Sequence, residues 1–173
     1  MSFSSSSDRP SLPTSYRRPE VWDPEHNSAN AAFGGINSHI AEPRYEKELP
    51  RGEHGLQLYS CGTPNGIKVT LMLEELVERK LIQDYDAWFV SIGKGDQFSS
   101  GFTAGNPNQK IPMLLDYTDD KENPIRVFES GAILLYLAEK YAYALPKSHR
   151  ERTECLNWLF WMQGEIAYNA SFI

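Results

Sequence analysis

Three short stretches of this chain carry residue types that could hold and activate a small polar molecule. The first is Ser60-Cys61-Gly62-Thr63-Pro64-Asn65-Gly66. Thr63 is a good helix N-cap, and Pro64 after it suits the first helical position, where its missing N–H costs nothing. Thr63 and Asn65 therefore stand among unpaired N–H groups and a partial positive charge, a setting that holds an anion or lowers a thiol pKa. The second is Glu129-Ser130-Gly131, a second candidate helix start. Ser130 reads as its N-cap and could accept a carboxylate there, with Glu129 beside it to accept from an ammonium group. The third is Asn106-Pro107-Asn108-Gln109-Lys110-Ile111-Pro112. If the Ile111–Pro112 bond is cis, the Ile111 backbone turns outward, where a peptide-like ligand could pair with it. Capping and loop roles account for each stretch taken alone.

Elements must place these residues. Leu56 and Leu58 alternate with Gln57 and Tyr59, which predicts a strand. Val69, Met72, Leu73, Leu76 and Val77 then form one helical stripe. Tyr85–Ile92 reads as a second strand, so strand, helix and strand imply a parallel crossover. Gly93–Phe102 is a loop with room for a short helix; Lys94 and Asp96 read as solvated surface, and Gln97 as ambiguous. The apolar run after Pro112 predicts a third strand, and Ile125–Phe128 a fourth. Ile133, Leu134, Leu137, Ala138 and Tyr141 give the next helix its stripe. Pro146–His149 reads as a linker, followed by a helix over Glu151–Ala170. That helix carries Leu156, Leu159 and Phe160 on one side and Trp158, Trp161 and Met162 on others, so it needs burial in a larger body. The order is α/β.

The chain has 173 residues, a net charge of −6 and a pI near 5.2. That balance disfavours a nucleic-acid surface. No stretch approaches a membrane span, and the Ser-rich start lacks the apolar core of a secretory signal. Cys61 and Cys155 give no disulfide framework, and His26, His39, His54 and His149 have no metal-ligand spacing. A reducing, cytoplasmic setting and no metal are expected. Before Gly55 the chain is rich in Ser, Pro and Arg without sustained period, an irregular, partly disordered arm from which Trp22, Phe33 and Ile36 could dock on a folded body. Asn37 reads as a loop residue of that arm.

Together, Thr63-Pro64-Asn65-Gly66, Asp96-Gln97-Phe98-Ser99-Ser100-Gly101-Phe102, Ile111-Pro112 and Val127-Phe128-Glu129-Ser130-Gly131 resemble the thioredoxin-like N-terminal domain of glutathione transferases. The likeness is greatest to the nu-class disulfide-bond oxidoreductase type, which is similar to the fungal nitrogen-regulator prion protein. It runs from about Ala32 onward. The resemblance implies an irregular arm over 1–54, a thioredoxin-like glutathione-binding domain over 55–145, and a linker with the first helix of an all-helical second domain over 146–173. It implies glutathione as co-substrate and a homodimer in full-length members. Thr63 and Asn65 would hydrogen-bond the glutathione sulfur and stabilise its thiolate, with Pro64 between them in the same motif. Ile111 would pair with the cysteinyl backbone, Glu129 and Ser130 would hold the γ-glutamyl end, and Gln97 and Lys110 would meet the other polar ends. Asn37 would reach over from the arm, although Gly34–His39 matches the family only loosely.

Cys61 is two residues before Thr63, but the partner position of a thioredoxin-type pair is Pro64, so it reads as a small packed residue. The alternative is a thiol that forms a mixed disulfide with glutathione. The expected function is a glutathione-dependent transferase with disulfide-bond reductase activity. Alternatives are a glutathione-binding regulatory or interaction protein of weak activity, or an inactive truncated fragment.

Overall fold

The computed structural model describes residues 41–166. Four strands, β1 (Leu56–Ser60), β2 (Asp86–Phe89), β3 (Met113–Asp116) and β4 (Ile125–Phe128), form one sheet in the order β2-β1-β3-β4. β1 pairs with β2 in parallel, and the β1–β3 and β3–β4 ladders are antiparallel. The helices are α1 (Pro64–Glu78), α2 (Ser100–Gly105), α3 (Ser130–Lys140) and α4 (His149–Trp161). α4 runs on into one wide π-type turn over Met162–Ile166. Two short 3-10 turns, Ile92–Lys94 and Asp96–Phe98, fill the expected loop after β2.

Strand alternation sorts the core into two layers. On one face Leu56, Leu58 and Leu114 meet Val69, Leu73 and Leu76 of α1 and Ile133 and Leu137 of α3. On the other, Tyr59, Met113 and Leu115 meet Val90 and Phe102. The Gln57/Tyr59 face of β1 is thus covered too: both residues are essentially inaccessible. Gln57 tolerates burial because all its hydrogen-bonding capacity is used. Its Oε1 accepts from Gly52 N and Trp88 Nε1, and its Nε2 donates to His54 O and Asp86 Oδ2. Residues 41–54 hold this face without regular structure. Tyr59 OH donates to Pro50 O, and Lys47 pairs with Asp96 at 3.1 Å. Asp96 is therefore a tether for this segment rather than free surface.

Helix starts differ in two respects from the sequence reading. Thr63 caps α1, accepting from Gly66 N at 3.2 Å, with Pro64 at the first helical position as expected. For α3 the cap is Glu129, at φ 70°, and Ser130 is the first helical residue. The Ser130 hydroxyl is thereby released from capping. The last helix begins at His149 with Ser148 as its side-chain cap, inside the expected linker. None of its residues is buried, and Trp158, Phe160 and Trp161 are exposed.

Candidate functional site

The site lies where β1 and β4 end and β3 begins, because α1 and α3 both start at that edge of the sheet. Gly66 makes the approach of α1 possible: a Cβ there would fall 2.2 Å from Cys61 O and 2.4 Å from Ser60 Oγ. Since α1 and α3 pack side by side on the same core layer, their N-termini converge. Ser130 Oγ stands 3.4 Å from Asn65 Oδ1. The two starts line a cleft of about 490 Å³, together with Asn108, Lys110, Ile111, Pro112, Glu129 and Gln163.

Each wall of this cleft has a local cause. Asn106, fully buried, accepts from Asn108 N at 2.9 Å and donates to Lys110 O at 2.6 Å, which folds the 106–110 loop on itself. Gln109, at φ 56°, points inward to Glu42 O and Thr103 Oγ1, leaving Lys110 and Ile111 on the cleft. The Ile111–Pro112 bond is cis. Glu129 is held by Asn108 Nδ2 at 2.9 Å. Burial pushes the Lys110 and Lys68 ammonium groups down from the ordinary lysine range. Such groups are partly stripped of water and gain from an anionic partner.

The structure brings Asn65, Lys110, Ile111, Glu129 and Ser130 to one cleft. Thr63 is the cap of the same turn; its oxygen accepts from Gly66 N, and its proton remains to be donated outward. Pro64 is exposed at that turn. Gln97 is not brought there: it is 2 % exposed, sits in the second 3-10 turn, and donates to Ile92 O at 3.4 Å while its Oε1 is unpaired. Asn37 lies outside the described residues. Cys61 is half-buried, burial raises its thiol pKa, and it lines a separate apolar groove with Ile67, Leu71 and Phe89. A raised pKa is the opposite of what a reactive thiol needs. No group of acidic, His or Cys residues suited to a metal occurs among the described residues.

Sequence reasoning missed Gln163. Its Oε1 accepts from Ser130 Oγ at 2.8 Å, and its Nε2 is buried without a partner. Its stem occupies the space that Gly131 leaves, since a Cβ on that glycine would meet Gln163 Cγ at 2.9 Å. Gly131 was the available signal: a glycine inside a helix marks a close approach by something else.

Residues 55–139 match the family described as Glutathione S-transferase, N-terminal domain. The chain is 57 % identical over 154 residues to the disulfide-bond oxidoreductase YghU of Escherichia coli, covering 88 % of this chain and 52 % of that protein. Among solved structures it is similar to a glutathione transferase YghU from Streptococcus pneumoniae complexed with glutathione. The TM-score is 0.80 at 48 % identity, over 90 % of this chain and 59 % of that one. A glutathione transferase from Pseudomonas putida, with one glutathione disulfide bound per subunit, gives a TM-score of 0.57 at 44 % identity, over 64 % of this chain and 46 % of that one. The chain spans about half the length of the curated relatives it matches. Residues 55–139, with their mixed sheet, cis-proline and paired helix starts, form a domain of the glutathione S-transferase N-terminal family.

Proposed function

We propose that the cleft binds glutathione and that the protein uses the bound thiolate to reduce small disulfides. The observation that carries this reading is the convergence of two helix N-termini, with Asn65 and Ser130 3.4 Å apart, on a cleft that also holds a carboxylate and the unpaired amide nitrogen of Gln163. A tripeptide with two carboxylates, an amine and a thiol matches that set. The α3 N-terminus, Ser130 and Gln163 Nε2 suit the γ-glutamyl carboxylate, and Glu129 suits its ammonium. Ile111 offers backbone to the cysteinyl part, and Lys110 suits a carboxylate. The sulfur then falls to Thr63 and Asn65, whose donors favour the thiolate. That thiolate attacks one sulfur of a disulfide and expels the other as a thiolate. A second glutathione thiolate releases the remaining half by the same exchange and leaves as glutathione disulfide. The same site would conjugate electrophiles. This reading divides the chain at 54/55 and 145/146, and it goes with a cytoplasmic homodimer.

A thermal scan with and without glutathione tests binding. A ligand at a hundred times its dissociation constant adds about 2.7 kcal/mol to a competent folded state. A transition that ignores glutathione would sink the reading. Turnover of hydroxyethyl disulfide then separates a reductase from a protein that only binds. Thr63→Ala should lower turnover roughly 10²-fold, the scale for losing one donor to a developing anion, while weakening glutathione binding far less. Equal turnover in the variant would remove Thr63 from the chemistry.

A further inference from the structure

Lys68 stands on α1 three residues after Asn65, on the same face, and its Nζ donates to Asn65 Oδ1 at 2.9 Å. An ammonium group offers only protons, so the amide must present oxygen to it. The Asn65 amide is thereby fixed with Nδ2, a pure donor, turned away from Lys68. We propose that Lys68 is the positioning residue of this site: by holding Asn65 Oδ1 it commits Nδ2 to donate to the glutathione sulfur. The inference rests on the reading of the cleft given above. Left unset, the amide could equally present its oxygen, which would repel a thiolate. Two further observations agree. A cation this close to a helix N-terminus opposes the helix dipole, and α1 has no acidic residue in its first turn to offset it. Local rules broken without structural gain concentrate at functional sites. Lys68 is also half-buried, and burial depresses its pKa, so its bond to Asn65 is sheltered from competing water.

The test is a pH titration of the glutathione-saturated 173-residue chain, followed by the ultraviolet absorbance of the thiolate. Lys68→Met removes the donor and keeps the length of the side chain. It should raise the bound thiol's pKa by about one unit, a tenfold loss of thiolate below that pKa. Lys68→Arg, which keeps donors and charge, should restore most of the shift. Lys68→Gln, whose amide can donate or accept, no longer dictates the Asn65 orientation and serves as a second neutral variant with the Met-like result expected. In an Asn65→Ala background Lys68→Met should add nothing, because Lys68 acts through Asn65. An unshifted titration in Lys68→Met and Lys68→Gln would overturn the proposal. So would an equal shift in the Asn65→Ala background, which would mean that the charge acts directly. Failure of the wild-type chain to bind glutathione would instead remove the functional reading and this inference with it, and the thermal scan reads that outcome separately.

Discussion

The two edges of the sheet carry polar clusters of similar make-up in opposite conditions. At the edge where β3 ends, Asp116 is 2 % exposed and closed on all sides. Its Oδ1 accepts from Thr118 N and Oγ1, and its Oδ2 from Tyr136 OH and Lys140 Nζ. The three protons of Lys140 go to Asp116, Thr118 Oγ1 and Asp119. At the edge where β3 begins, the groups are left open: Gln163 Nε2 has no partner, and Thr63 keeps a proton to donate. A closed network holds structure and has nothing to offer a ligand. An open one costs stability until something completes it.

The largest expected effect lies at the closed edge. Asp116→Ala takes the buried partner from Lys140, which keeps only Thr118 Oγ1 and the exposed Asp119, and leaves Tyr136 OH and Thr118 N without their acceptor; it should cost about 3–5 kcal/mol in a denaturant melt. The glutathione-dependent increment in stability should stay the same for the folded chain. A loss below about 1 kcal/mol would break the comparison. The pH dependence has a definite sign. Burial works against the Asp116 carboxylate, but the hydrogen bonds from Lys140, Thr118 and Tyr136 outweigh it and depress its pKa. Its contribution is therefore present above the unfolded carboxylate pKa, near 3.9, and is lost as pH falls through the lower folded value. Burial likewise opposes the Lys140 charge and is outweighed by Asp116 and Asp119, so that pKa is raised. Its contribution is present below the unfolded lysine pKa and is lost only as pH rises through the folded value. Between the two, this network gives no slope.

This contrast decided what could be read from residue order. The α1 start was legible because a capping Thr, a following Pro and an apolar stripe are all local. The first strand was legible from alternation and the third from the apolar run after Pro112; the second stops at Phe89, earlier than the Tyr85–Ile92 reading suggests. What failed was long-range. The alternation around Gln57 predicts a strand but not its burial, which depends on Gly52, Asp86 and Trp88, up to 31 positions away. Ser130 looked like a cap because its type suits one, and only the backbone at Glu129 moves it into the helix. Gln163 reaches the cleft across 33 positions, which no local pattern encodes. Gln97 sits beside local turn signals yet is buried, next to the buried Phe98 in a stretch that Phe102 anchors in the second core layer.

Ser130→Ala sharpens the comparison from the open edge. The hydroxyl makes one good hydrogen bond, to Gln163, and does not cap α3. Its removal should cost roughly 0.5–1.5 kcal/mol of stability, the net worth of one such bond. Glutathione binding, read by calorimetry, should weaken by an order of magnitude, because the lost donor sits at the γ-glutamyl end of the proposed ligand. The pattern is the reverse of that at Asp116. Destabilisation of the Asp116→Ala kind with intact binding would mean that Ser130 belongs to the structural class instead.

The smallest effect tests whether the closed condition extends along the whole far edge. His54 N donates to Asp86 Oδ2 at 2.8 Å, and its Nδ1 lies 3.2 Å from Asp86 Oδ1. The hydrogen bond to Asp86 raises the His54 pKa, only partly opposed by burial. Burial opposes the Asp86 charge, but the bonds from His54 and Gln57 outweigh it and lower its pKa. A raised histidine pKa contributes stability that is fully present below the unfolded value, near 6.5, and is lost as pH rises through the folded value. The melting temperature should therefore decline slightly from pH 6 to pH 8, and His54→Asn should flatten that decline. Because the imidazole is partly exposed, added salt should shrink the wild-type slope. Glutathione binding should not change between the two chains, since Asp86 and His54 sit at the end of β1 away from the cleft. An unchanged slope in His54→Asn would limit the closed network to Gln57, Asp86 and the backbone, and would make the His54 ring a bystander held in place by its own amide.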